Sequence, residues 1–255
     1  MALTPDQYLS QILARETVPT GLYSPLWIVQ RELSPIIQEW ANGRLVSMHP
    51  SGSYSKGTCN SSGTDMDFFI SLEPETIESL EEIHNRLFNK LSGKGYSPKR
   101  QNVSINVNVS GQSVDLVPGK LQDRLASDHS LYRRRANTWT KTNVQTHITH
   151  VRNSGRLSEI RIIKLWRNQK GLDFPSFYLE LSVMRALAGS PSASIATNVW
   201  KVLEFLRDSF ISARIVDPAN TNNVISDDLT TLEKQRISAA ARVALTAQNW
   251  EEIVR

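Results

Sequence analysis

Three aspartates carry the chemistry this sequence most plainly suggests. Asp65 and Asp67 stand two apart in "TDMDFFISL", at the head of an apolar run that reads as a buried strand. Side chains alternate along a strand, so residues i and i+2 project to one face and the two carboxylates stand side by side. Two like charges held close are costly unless a cation lies between them. Hard cations such as Mg²⁺ take oxygen ligands and keep positions for water and substrate phosphates. Asp115, in "SVDLVPG", lies between Val114 and Leu116 on a second apolar strand, where a buried acid needs a reason. On a neighbouring strand it would complete a clamp for two metal ions and in-line phosphoryl chemistry. The stretch before the pair, Gly52-Ser53-Tyr54-Ser55-Lys56-Gly57-Thr58, reads as a flexible loop and supplies the complement. Glycines let backbone approach an anion closely, and backbone N–H groups with the Ser53 hydroxyl can cradle phosphate oxygens. Asp-x-Asp alone is common in turns and a Gly-Ser pair alone means nothing. The ordered set, with its strand context, is what carries weight.

The elements that must position these groups are legible in the pattern. Residues 4–15 read as a helix with Thr4 as N-cap and Pro5 at its first position. Residues 25–41 read as a second, with Pro35 as a kink and Asn42-Gly43 as its end. "RLVSMH" and "DMDFFISL" are strand candidates, and residues 75–92 form an amphipathic helix with Ile77, Leu80, Ile83, Leu87, Phe88 and Leu91 on one side. "NVSINVNV" alternates Val103, Ile105, Val107 and Val109 with polar residues, the period of a half-buried strand. Gly111-Gln112 turns it into "SVDLV", and Pro118-Gly119 is expected to stop that strand. The pattern then changes: 142–153, 156–170, 176–188, 193–210 and 228–245 read as helices. The expected fold class is α+β, with residues 1–125 as a mixed sheet with helices and 126–255 as a helical domain. No internal repeat or low-complexity segment interrupts it.

Bulk composition narrows the setting. The chain has 255 residues, 40% hydrophobic and 21% charged, ordinary values for a globular protein. No apolar run approaches the length of a membrane span, and the N-terminus lacks the apolar core of a signal peptide. The single cysteine, Cys59, forms neither an internal disulfide nor a cysteine-based zinc site. These features favour the cytoplasm and no membrane partner. The net charge of +4 is unevenly spread: residues 99–170 hold 14 Lys/Arg against 4 Asp/Glu, while the rest is acidic. A solvated face explains such a band; so does a polyanionic partner, a nucleoside triphosphate or RNA.

"GSYSKGT", "TDMDFFISL" and "VDLVPG" together resemble the polymerase-β-like nucleotidyltransferases, whose pattern is Gly-Ser, Asp-x-Asp and a third Asp. "EIRIIKLWRNQKGLDFPSFYLELSVMRAL" and "RIVDPANTNNVISDDL" are similar to the helical half of oligoadenylate synthases, archaeal-type CCA-adding enzymes and the bacterial cGAS/DncV-like enzymes (CD-NTases). The resemblance spans roughly residues 45–245. It implies a nucleotidyltransferase core followed by a helical nucleotide- and acceptor-binding domain. It implies that Gly52 and Ser53 bind the donor triphosphate. Asp65, Asp67 and Asp115 would hold two Mg²⁺ ions, with Mn²⁺ as an alternative, and Asp115 would help deprotonate the acceptor. Lys164 matches a lysine that contacts donor phosphates. Ser176 and Phe177 match a Ser-aromatic pair on the triphosphate and base; Phe177 stands where Tyr is usual, and Tyr178 is a candidate substitute. From the residues alone, Lys164 is equally a solvated helix lysine, Phe177 and Tyr178 are core aromatics, and Glu180 is a buried hydrogen-bonding partner. The run Arg133-Arg134-Arg135 is either a solvated loop or a phosphate clamp. His129, His147 and His150 lack a zinc pattern, and Asn222 and Asn223 read as turn residues.

The reaction implied is attack of a ribose hydroxyl on the α-phosphate of an NTP, with pyrophosphate released. Three acceptors compete: another nucleotide, giving a cyclic or linear second messenger as in anti-phage signalling; an RNA 3′ end; or a small molecule or protein side chain. About 30 residues follow the turn at 217–224, which sets the sequence against an RNA-anchoring domain after it. The messenger reading therefore leads, with an effector protein reached only through the product. A non-catalytic nucleotide- or RNA-binding module is the reading from another class.

Overall fold

The computed structural model describes residues 3–19, 21, 24–63, 65–125, 127–190 and 194–255. In chain order the elements are α1 (Pro5–Arg15), α2 (Pro25–Ala41), β1 (Leu45–Pro50), α3 (Gly52–Lys56), β2 (Met66–Leu72), α4 (Leu80–Gly93), β3 (Lys99–Arg100), β4 (Ile105–Val109), β5 (Gln112–Leu121), β6 (His129–Arg133), β7 (Thr138–Thr142), α5 (Val144–Arg152), α6 (Leu157–Gln169), α7 (Ser176–Ala186), α8 (Ile195–Asp208), α9 (Thr231–Ala244) and α10 (Trp250–Ile253). They form two compact units. A sheet unit comprises Val18–Gly57 and Thr64–Thr149; a helical unit comprises Met1–Thr17, Thr58–Gly63 and His150–Arg255. The α+β class is as the sequence pattern leads one to expect. The first helix and the segment 58–63 group with the helical unit, and the sheet runs on past residue 125 through β6 and β7. Among the described residues no helix is long and apolar enough to cross a membrane.

The sheet is ordered β1-β2-β5-β4-β3, with β6 on β5 and β7 on β6. β2 and β5 pair in parallel, while β1 with β2 and β4 with β5 are antiparallel. Met66, Phe68, Ile70 and Leu72 of β2 join a core with Leu26, Val29, Leu33 and Ile37 of α2 and Ile83, Leu87 and Leu91 of α4. Strand alternation then sends Asp67, Phe69 and Ser71 to the other face.

Several boundaries differ from the expected ones, for local reasons. α4 begins at Leu80 because Ser79 and Glu82 form a capping box, which leaves Ile77 exposed. The strand at Pro118-Gly119 does not stop. β4 pairs with β5 only as far as Leu116 and β6 pairs with it only from Lys120, so no neighbour on that side needs a Pro118 N–H. Gly119 is required where it stands: a Cβ there would lie 2.5 Å from the Phe69 ring. Pro35 lies inside α2, which runs through it to a left-handed Asn42 cap. The supposed loop from Gly52 to Lys56 is a short helix. The β6–β7 hairpin went unread because "LYRRRANTWTKT" shows no apolar alternation.

The helical unit has its own core, in which Trp166, Phe174, Tyr178 and Phe210 are fully or almost fully buried. Thr4 caps α1 with a capping box and Pro5 at the first position. α8 begins at Ile195, with Ser194 as N-cap; Ala193, the expected start, lies outside the described residues. The Asn-rich turn is tied by Asp217, whose Oδ2 accepts from Asn223 Nδ2 at 3.1 Å and whose Oδ1 accepts from the Ala219 N–H at 2.8 Å.

Burial holds His49, His84 and His129 below the usual imidazole range. An unfolded chain protonates its histidines near pH 6.5, before these folded sites do. Stability is therefore expected to fall as pH drops from about 6.5 towards 5, above the range in which carboxylates titrate. Urea midpoints at pH 7.5 and 5.5 check this; equal values contradict it.

Candidate active site

Asp67 and Asp115 are register partners across the parallel pair β2 and β5. Each is half-buried, and Asp65 is exposed just before β2. Asp115 is held from the far side by β4 and the segment before it. Asn106, directly opposite on β4, donates from Nδ2 to Asp115 Oδ1 at 2.8 Å, and Gln101 Nε2 donates to the same oxygen at 3.1 Å. Burial is the main cause that raises the Asp115 carboxyl above its ordinary range; the Asn106 bond opposes it and the charge of Asp65 adds to it.

Gly52 explains its own identity. Its φ is +56°, and a Cβ there would lie 1.8 Å from Asp67 Oδ2. Only a residue without a side chain lets this backbone lie against the carboxylate. The Ser51 N–H donates to the Asp67 carbonyl oxygen at 2.7 Å, so the chain before α3 is fastened to β2 at the same point. Gly52 and Ser53 occupy the first turn of α3, where helix N–H groups lack intrahelical acceptors. The hydroxyl-rich stretch therefore presents Gly52 and Ser53 from a helical turn fixed beside Asp67.

These carboxylates imply a divalent cation. Among the described residues no three His, Cys, Asp or Glu side chains converge closely enough to hold a metal ion. The backbone brings Asp67 and Asp115 together as register partners, and Asp65 stands just before β2. The donor set nevertheless fits a hard divalent ion: it is all oxygen, it carries the Asp65 charge close enough to bear on Asp115, and Gly52 leaves room at Asp67 that a Cβ would fill.

In the helical unit, Lys164 on α6 is neither solvated nor snorkelling. It is buried, and its Nζ donates to Glu180 Oε1 on α7 at 2.6 Å and to Thr58 Oγ1 at 2.8 Å. Thr58 in turn donates to the same Glu180 oxygen at 2.7 Å. Ser176 opens α7 and is exposed, and its Oγ accepts from Arg167 Nη1 at 2.9 Å. Phe177 is half-buried against the helical core. Tyr178, the candidate substitute, is wholly buried, with Phe174 at 5.3 Å and Phe210 at 5.1 Å between ring centroids. It is a core aromatic with no surface to offer a base.

Sequence reasoning passed over Asn106, Gln101 and Arg167. Asn106 had a signal, since it occupies a polar position in an alternating strand. Gln101 and Arg167 had none, because their partners come from the fold. Part of the basic band is already engaged. Arg100 lies 3.4 Å over the Phe88 ring, Lys141 pairs with Asp128 at 2.9 Å, and Arg161 donates to Asn60 Oδ1 and to the Leu13 and Glu16 carbonyls. Among the described residues no carboxylate pairs with Arg133 or Arg135 at the β6–β7 turn.

This arrangement of sheet and helices is the nucleotidyltransferase fold. Solved structures that share it include the CD-NTase CdnG of Bradyrhizobium diazoefficiens in complex with GTP, 15% identical with a TM-score of 0.75, covering 98% of this chain and 93% of that one. The Elizabethkingia meningoseptica CdnE cyclic dinucleotide synthase, with GTP and Apcpp, is 15% identical with a TM-score of 0.70, over 96% and 100%. The Cid1 poly(U) polymerase bound to MgATP is 11% identical with a TM-score of 0.68, over 96% and 95%. No protein-family profile and no curated protein matches the sequence.

Two outcomes follow from the geometry. Gly52→Ala is expected to displace the Asp67 carboxylate and abolish any Mg²⁺-induced rise in melting temperature that the parent shows; an undiminished rise refutes the Gly52–Asp67 contact. Lys164→Ala removes the ammonium that pairs with buried Glu180, costing about 3 kcal/mol, whereas Lys164→Met with Glu180→Leu recovers most of it. Denaturant melts of the three chains measure both values.

Proposed function

We propose that this protein is a Mg²⁺-dependent nucleotidyltransferase that joins NTPs into a cyclic or linear oligonucleotide messenger, in the cytoplasm and in the setting of bacterial anti-phage signalling. The observation that carries the reading is the in-register pair Asp67 and Asp115, with Gly52 laid against Asp67. The fold supports it, being shared with a cyclic dinucleotide synthase.

On this reading Asp65, Asp67 and Asp115 would hold the divalent ions. When bound, such ions neutralise charge on a triphosphate and ease displacement at its α-phosphorus. Gly52 and Ser53 offer backbone and hydroxyl donors to the donor phosphates. Asp115 takes the proton of the attacking ribose hydroxyl. The Asn106 and Gln101 amides fix the direction of its carboxylate. Lys164 would contact the donor phosphates, with Glu180 and Thr58 fixing its ammonium. Ser176, fixed by Arg167, would add a hydroxyl to the triphosphate, and Phe177 a ring to the base. The protein's contribution is positioning and charge stabilisation.

A second reading is addition of nucleotides to an RNA 3′ end. The shared fold with a poly(U) polymerase favours it, as do Arg133 and Arg135, with which no carboxylate pairs among the described residues.

Incubating the pure protein with each NTP and Mg²⁺, with and without total RNA, separates these. Pyrophosphate and a short oligonucleotide without RNA are expected; release that needs RNA supports end-addition, and none with either defeats both. Asp67→Asn should lower turnover by at least about a thousandfold with the circular dichroism spectrum unchanged, as loss of a metal ligand requires. Product formation at the parent rate removes Asp67 from the site. If Lys164→Met with Glu180→Leu keeps the parent Michaelis constant for NTP, Lys164 does not touch phosphate.

A further inference from the structure

The sheet face that bears Asp67 continues, further along β2, into a cavity of about 350 Å³ in the sheet unit. Its floor is built from register partners: His49 of β1 faces Phe69 of β2, and Ser47 faces Ser71. Phe69 is buried yet absent from the core beneath α2 and α4, because it points to the opposite face. Its ring lies over Gly119, where a Cβ would come within 2.5 Å of it. His129 of β6 meets that ring edge-on, with centroids 4.7 Å apart and planes at 86°, and His49 stands 5.8 Å away. Gln145 of α5 and Arg124 complete the rim.

The chemistry of the lining is uncharged. His129 Nδ1 donates to the Ser127 carbonyl oxygen at 3.0 Å, which leaves Nε2 to accept from the Ser71 hydroxyl at 2.8 Å. Burial favours the neutral form of both imidazoles. Arg124 does not make an anion site, because Glu75 takes its Nε and Nη2 at 3.2 Å each and Glu73 lies 3.8 Å away. What remains is three aromatic rings, several hydroxyls and an amide around a space of ligand size, the make-up of a pocket that grips a flat ring and reads its polar edge.

We propose that this cavity is a binding pocket for an uncharged nucleobase, separate from the carboxylate cluster. At about 3.3 Å per strand residue, Phe69 lies roughly 7 Å and Ser71 roughly 13 Å along β2 from Asp67. Phe69, His49 and His129 supply the stacking surface. Ser47, Ser71 and Gln145 supply hydrogen bonds that discriminate among bases. The choice of a nucleobase over other flat rings rests on the nucleotidyl-transfer reading.

The test uses the whole protein and the histidine ring signals in ¹H–¹³C NMR spectra. Adenosine, guanosine, cytidine and uridine are titrated without Mg²⁺, with sodium pyrophosphate as the anion control. At least one nucleoside should move the His49 and His129 Hε1 signals saturably, leave His84 in place, and do so equally in Asp67→Asn. Pyrophosphate should move neither. Gln145→Trp, an exposed change at the rim, should weaken the nucleoside at least tenfold. The pocket is refuted if no nucleoside moves both signals, if pyrophosphate moves them alike, or if Gln145→Trp binds as tightly as the parent. Because Asp67→Asn binds but does not turn over, a failure here is separable from a failure of the catalytic reading.

Discussion

Two carboxylates set side by side on parallel strands impose the constraint that organises the sheet unit. Asp67 and Asp115 are in register because β2 and β5 run parallel, and that pairing brings together acids 48 positions apart in sequence. Two like charges so placed repel. The fold instead steadies each one separately. Gly52 lies against Asp67, the Ser51 N–H fastens the neighbouring backbone, and two amides grip Asp115. Acids grouped in this way create a demand for positive charge, to which the exposed Asp65 adds. That demand gives a divalent cation and a triphosphate their physical rationale here.

The hydroxyl-rich stretch between β1 and β2 serves two masters. Its first half becomes α3 and belongs to the sheet unit, and Thr58–Gly63 belongs to the helical unit. There Thr58 joins the buried Lys164–Glu180 pair, Asn60 receives Arg161, and Ser61 and Ser62 bond Glu16. Read as a uniform phosphate cradle, the stretch hid this division. Polar residues in a short loop do not announce whether their partner is a ligand or a buried charge.

Much of the helical half was open to reading because helices are local: Thr4 with Gln7 and Thr230 with Glu233 cap α1 and α9 in full. The sheet was less open. β6 and β7 carry arginines and threonines where alternation would help, and only pairing makes them strands, β6 with β5 and β7 with β6. Pro118-Gly119 looked like a stop because the rule against proline assumes neighbours on both sides, and here one side is vacant at that point.

The sequence by itself determined the identities and order of the acids, the helix caps and the apolar faces, since these depend on residue type and on neighbours a few positions away. Tertiary structure alone decided that Asp115 stands beside Asp67, that Lys164 pairs with Glu180, and that Phe69 floors a cavity between two histidines. Each of these is a contact across tens of residues, set by strand order and register. Charge and hydropathy along the chain carry no record of which distant strand will be the neighbour.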